Sequence, residues 1–167
     1  VEDYANLAYH GMRAQTTDFN VTIERDLDTD LQPIQMVAQD IGRVILNIIT
    51  NALQAIHQKS QDKGQGYDPK LFLSTARRGE EVEIRIRDNG PGMPEEVLSK
   101  IFQPFFTTKA AGEGTGLGLS ISYDIVVQQH GGRLEASATE GKGSEFHIVL
   151  PAGPRKAAQR TQEEQRT

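Results

Sequence analysis

Asn47 and Asn51 stand four residues apart in a stretch whose apolar residues recur at helical spacing, so both amides fall on one face of a predicted helix, one turn apart. Asparagine is a middling helix former that competes for backbone hydrogen bonds, and a solvated face is the plain explanation for the pair. The chemical explanation is that amide oxygens are hard, neutral ligands for Mg²⁺, which keeps water and phosphate oxygens around it. A second group, Asp88, Gly90 and Gly92 in "DNGPGMP", follows a run that alternates like a strand. "DNG" signals a hairpin turn, yet the residues after it start a helix rather than a returning strand. An ionised aspartate only accepts hydrogen bonds, so in a pocket it can fix an exocyclic amino group such as that of adenine. The glycines would let the backbone approach a flat ring. A third group is glycine-rich: Gly112, Gly114, Gly116 and Gly118 alternate at the opening of a predicted helix, where free N–H groups and the helix dipole suit phosphates. Lys109 adds a local cation.

Two common phosphate loops do not fit. G-x-G-x-x-G fails because Leu117 and Leu119 occupy the third glycine's place, and the P-loop fails because Gly141-Lys142 is followed by Gly143. A glycine-rich run is ordinarily a linker, but Phe102, Phe105 and Phe106 beside it are too apolar for one and read as packed hinges of a mobile lid.

The elements that must carry these groups follow from periodicity. Residues 3–15 predict a short helix and "FNVTIERDL" a strand, with "PIQMV" a second, shorter one. From Gln39 to about Gln58, Ile41, Val44, Ile45, Ile48, Ile49, Ala52, Leu53 and Ile56 form one wide apolar stripe. "KLFLSTARRGEEVEIRIRD" predicts a hairpin, "PEEVLSKIF" a short helix with proline at its start, and "LGLSISYDIVVQQH" a helix closed by Gly131 and Gly132. "RLEASATE" and "SEFHIVLP" form a last hairpin across "GKG". The fold class is α+β: a mixed sheet covered on one face by about three helices.

Composition sets the bounds. A chain of 167 residues with 37% hydrophobic side chains fits one domain, and a formal charge of −5 with no basic face argues against nucleic-acid binding. There are no cysteines, which excludes disulfides and thiol chemistry. No stretch approaches the roughly 20 apolar residues that span a bilayer. The chain opens on Val1, so a fragment of a longer protein is expected.

Five blocks, "ILNIITNALQAI", "DNGPGMP", "IFQPFF", "GTGLGLSI" and "EGKGSEFHIVLP", together resemble the ATP-binding catalytic domain of two-component sensor histidine kinases, in that family's order and across residues 19–151. "NALQAI" and "PFFTTK" further resemble its nitrogen-regulation branch. The resemblance implies a two-layer α/β sandwich of the Bergerat type over 18–152, preceded by the end of a helical linker (1–17) and followed by a disordered tail (153–167). It implies ATP and Mg²⁺, with Asn51 on the metal and Asp88 on the adenine amino group. Gly90 and Gly92 then lie around the base; Gly114, Gly116, Leu117, Gly118 and Leu119 serve the lid and phosphates; and Ser144 lies near adenine. Asn47 takes the place of the glutamate that activates water in related gyrase-type and mismatch-repair ATPases, and an amide is no general base. Such a site would hold ATP as a phosphodonor.

Two departures from the family pattern stand out. The lysine common three residues after the magnesium asparagine is here Gln54, so Lys109 is the nominated phosphate cation and, with Asn47 and Asn51, part of the catalytic set. The phosphoacceptor motif, His followed by an acidic residue, is absent: His10, His57, His130 and His147 are followed by Gly11, Gln58, Gly131 and Ile148. The resemblance therefore implies transfer to a histidine on a separate dimerisation domain of the same homodimeric protein, then relay to a response regulator. It implies a cytoplasmic domain; a membrane anchor, if the parent has one, lies upstream. The competing readings are a gyrase-like ATPase or conformational clamp, and a nucleotide-gated binding module without kinase activity.

Overall fold

The structure is a computed structural model, and it describes residues 1–64 and 66–153. Its elements run α1 (Glu2–Gln15), β1 (Thr22–Leu27), α2 (Ala38–Lys63), β2 (Lys70–Arg78), β3 (Glu81–Asp88), α3 (Glu95–Leu98), α4 (Gly118–Tyr123), β4 (Arg133–Thr139) and β5 (Gly143–Pro151). A π-helical stretch, Asp124–Gln129, prolongs α4. The five strands form one sheet in the order β1-β2-β3-β5-β4. β1 and β2 are parallel and the other pairs antiparallel. A parallel neighbour needs a crossover, and α2 is that crossover.

The alternation in β3 decides what faces the helices. Val82, Ile84 and Ile86 are buried and share one face of the strand, while Arg85 and Arg87 point the other way and are exposed. From the helix side, Ile41, Val44, Ile45, Ile48, Ile49, Ala52, Leu53 and Ile56 are all buried, so the apolar stripe of α2 is the centre of the core. Full burial of each large aliphatic side chain contributes about 2 kcal/mol. Between α2 and the end of the sheet lies a cleft, because the apolar row on β3 ends in Asp88.

α1 packs on α2 and adds Ala5 and Ala8 to the same core. Tyr4 lies over Gly42, where any Cβ would collide with the phenol ring. The predicted strand "PIQMV" is not formed: residues 31–37 have no regular structure before α2 begins at Ala38. Pro33 has no N–H to give a ladder. The predicted helix at "PEEVLSKIF" shrinks to the single turn of α3, with turns through Lys100–Phe102. The expectation of a disordered tail lies, from residue 154 on, outside the described residues.

Candidate active site

A cavity of about 740 Å³ opens between α2, the β3–α3 connection and the glycine-rich segment 107–118. Its lining contains Asn47, Asn51, Asp88, Gly92, Lys109, Gly114, Gly116, Gly118, Leu119 and Ser144, all singled out from sequence. Gly90 and Leu117 are not in the lining. Gly90 lies behind Asp88, and Leu117 precedes the first turn of α4, its carbonyl accepting from Ile121 N and from Ser120 Oγ. Met93, Ile101, Phe106 and Phe146 supply apolar walls.

Asp88 is the buried charge of this cleft, 4% exposed. It stands on the same strand face as Ile84 and Ile86, and in register with Ser144 of β5. Its Oδ1 accepts the Gly90 N–H at 2.8 Å. A Cβ at Gly90 would come within 2.7 Å of that oxygen, so glycine is needed for the close approach. Burial pushes the Asp88 carboxyl up to about 6, opposed by the Gly90 and Ser144 backbone N–H groups and by the Lys59 ammonium. At neutral pH it is an ionised acceptor facing the cavity, with Met93, Ile101 and Phe146 among the apolar residues of the same lining.

The loop after Asp88 is fastened from both sides. Asn89 Oδ1 accepts from Lys70 N at 2.8 Å and its Nδ2 donates to Asp68 O at 2.7 Å. The Tyr67 hydroxyl lies 2.8 Å from Asn89 Oδ1 and 3.0 Å from Asn89 O. Burial first, then the nearby charges of Asp88 and Asp68, push that phenol up to about 12, so it stays a donor. From α2, Lys59 Nζ donates to the carbonyls of Asn89 (2.8 Å), Gly90 (3.0 Å) and Gly141 (2.9 Å). Gly92 takes φ 68 and fits against the Thr139 carbonyl, which a Cβ would strike at 2.1 Å.

At the opposite side of the cavity the polar face of α2 meets the glycine-rich segment. Asn47 Nδ2 donates to Ser122 Oγ at 3.3 Å, and its Oδ1 lies where a Cβ on Gly118 would be 2.5 Å away. Asn47 is thus braced against α4. Asn51 lines the cavity one turn further along. Lys109 Nζ donates to Gln54 Oε1 at 2.6 Å, so the nominated cation sits on the side chain that replaces the expected lysine. Gly116 takes φ 67 and packs against the Phe105 backbone.

The expectation that all three phenylalanines pack is corrected for one. Phe102 lies between Tyr123 and Phe146, with ring centroids at 5.4 and 6.5 Å, and Phe106 is half-buried. Phe105 is 75% exposed and takes φ 65, because Gly116 packs on its backbone and its ring is turned outward. The histidines lie outside the cavity lining. His57 packs edge-on against Phe19 at 5.4 Å. His130 ties the π-helical stretch to α2, with Nδ1 2.7 Å from Ile125 O and Nε2 accepting from Val37 N at 3.2 Å. Lys59 and Tyr67 were missed in the sequence because each acts through backbone carbonyls of a distant loop, which leaves no spacing pattern.

The family described as "Histidine kinase-, DNA gyrase B-, and HSP90-like ATPase" matches residues 36–154. The chain belongs to that ATPase family. It is 35% identical over 152 residues to the sensor histidine kinase ZraS of Escherichia coli (strain K12), covering 89% of this chain and 30% of that protein. It is 36% identical over 141 residues to sporulation kinase E of Bacillus subtilis (strain 168), covering 84% and 18% respectively. The chain therefore spans less than a third of these relatives. Among solved structures, the nucleotide-free catalytic domain of histidine kinase ThkA matches with a TM-score of 0.71 and 28% identity, over 91% of this chain and 92% of that one. The mixed five-stranded sheet with its helices is thus the histidine kinase catalytic-domain fold, as the residues of the ATPase motifs imply.

Proposed function

We propose that this ATPase-family chain binds Mg²⁺-ATP in the cleft between α2 and the glycine-rich lid, and donates the γ-phosphate to a histidine on a separate helical hairpin. The observation that carries this reading is Asp88: a buried carboxylate, ionised at neutral pH, at one end of a 740 Å³ cavity whose other end gathers two asparagines and Lys109. Asp88 accepts from the adenine amino group, with Ser144 and Gly92 beside the ring. Gly114, Gly116 and Gly118 leave backbone N–H groups open toward the phosphates, and Leu119 closes the cleft.

The donor set fits magnesium. Asn51 offers a hard neutral oxygen, with Asn47 a turn away. Among the described residues no three His, Cys, Asp or Glu cluster to cage a cation. A metal held here by Asn51 would take its remaining ligands from phosphate and water, and would supply neutralisation of the developing phosphoryl charge. Lys109 adds a positive charge on the lid side. In the transfer, a histidine nitrogen of the hairpin forms a bond to the γ-phosphorus while the bond to the β–γ bridging oxygen breaks and ADP leaves. Positioning accounts for most of the catalysis. Asn47, braced against Ser122 and unable to take a proton, disfavours a water-activating ATPase clamp.

On this reading the parent is a homodimeric sensor kinase that phosphorylates a response regulator, of the nitrogen-regulation type on the strength of "NALQAI" and "PFFTTK". The test is direct. Incubation of the chain with γ-labelled ATP, Mg²⁺ and a separate histidine-bearing hairpin domain should label the hairpin with acid-labile phosphate. Tight ATP binding with no transfer to any supplied hairpin would favour the binding-module alternative.

A further inference from the structure

Lys59 belongs to no ATPase motif, lies outside the cavity lining, and yet makes three hydrogen bonds to backbone carbonyls within 3.0 Å. An ammonium has three donors, and here all three end on main chain. Two of the carbonyls, of Asn89 and Gly90, belong to the loop that follows Asp88. The third, of Gly141, belongs to the turn between β4 and β5, just before Ser144. The same loop and turn also meet through Gly141 N and the Pro91 carbonyl. Lys59 Nζ lies 4.9 Å from the ring centroid of Tyr67, which binds Asn89 from the opposite side.

We propose that Lys59 is a positioning residue for the nucleotide base: its ammonium locks the 89–91 loop and the β4–β5 turn to α2, and so fixes Asp88 and its cross-strand neighbour Ser144 beside the adenine site. This rests on the reading that Asp88 holds the adenine amino group. Three points of main chain pinned by one cation give a rigid base pocket beside a lid that is free to adjust. Methionine cannot replace it, since it has no donor. Arginine keeps the charge, but its planar guanidinium does not match three converging carbonyls.

Lys59 also acts on Asp88 as a charge. The groups that face the carboxylate are Lys59 from α2, the Tyr67 hydroxyl from the loop before β2, and the backbone N–H groups of Gly90 and Ser144. Tyr67 stays neutral, so Lys59 is the cation that favours the ionised acceptor. Its loss moves the acid limb of nucleotide binding to higher pH, an effect that loosened packing alone would not produce.

The deciding experiment titrates the 167-residue chain and its Lys59→Met, Lys59→Arg and Asp88→Asn variants with a fluorescent ATP analogue plus Mg²⁺, from acid to neutral pH, with thermal melts alongside. Lys59→Met should bind about tenfold or more weakly, with the midpoint of the acid limb raised. Lys59→Arg should recover part of the affinity and the original midpoint. Wild-type affinity and midpoint in a folded Lys59→Met overturn the proposal. Should Lys59→Met not melt cooperatively, Lys59→Arg decides, and full wild-type affinity there overturns it. Undiminished binding by Asp88→Asn would instead remove the adenine reading itself, whereas loss in Asp88→Asn with no effect at Lys59 removes only the role of Lys59.

Discussion

Lys109 of the lid donates a 2.6 Å hydrogen bond to the amide oxygen of Gln54 on α2. Gln54 stands one turn from Asn51, so this contact brings the cation of a loop to the helix position where the family pattern carries a lysine. Charge and position are thus separated: Lys109 supplies the first and Gln54 the second.

Lys109→Ala should therefore weaken ATP binding by about tenfold while leaving adenosine binding unchanged, since only the phosphates meet the cation. Gln54→Ala should give a smaller loss in the same direction. Calorimetric titrations with ATP, ADP and adenosine separate these contributions; an equal loss for adenosine would place Lys109 elsewhere.

The pH behaviour of Asp88 follows from its raised value of about 6 against an ordinary 3.8. Because the native carboxyl takes up its proton before the unfolded one as pH falls, the nucleotide-free chain gains stability between about 6 and about 4, and is penalised above that range. The penalty at neutral pH is at most about 3 kcal/mol. Asp88→Asn should then melt higher than the parent chain at pH 7, with the gap narrowing toward pH 4, while losing nucleotide affinity. Denaturant melts of both chains across that range would show it.

Asn51→Ala should remove the magnesium dependence of ATP binding. Affinity measured with Mg²⁺ should fall to about the level seen in EDTA, and the two chains should agree in EDTA. A similar loss under both conditions would indicate a packing role for Asn51.

Gly92→Ala combines a positive φ with a Cβ driven onto the Thr139 carbonyl. The turn must shift to accept it, so a loss of about 2 kcal/mol or more in stability is expected, visible as a lower denaturation midpoint. Gly131→Ala, also at positive φ but with open space for its Cβ, should cost less.

Much of this was legible from local pattern. The α2 stripe, the β2–β3 and β4–β5 hairpins and the three polar clusters follow from periods of 3.6 and 2 and from glycine placement, because burial imposes those periods directly. Other features depend on partners far along the chain. "PIQMV" has strand-like residues, but Pro33 cannot donate to a ladder and residues 31–37 run irregularly into α2. Phe105 is apolar yet turned outward by the approach of Gly116, and the predicted helix 117–130 widens into a π-helical stretch from Asp124. Lys59 is the clearest case: an ordinary lysine on a helix until the tertiary fold delivers three carbonyls to it.

The meeting of Phe105 and Gly116 has a consequence for how the lid works. With its two ends held together at that waist, the segment between them is a noose whose neck is already drawn. Gathering a flexible loop costs entropy that grows with the span to be closed, and here the span was closed when the chain folded. On the proposed reading, a triphosphate entering the noose would need to tighten only the bight, without disturbing the sheet beneath.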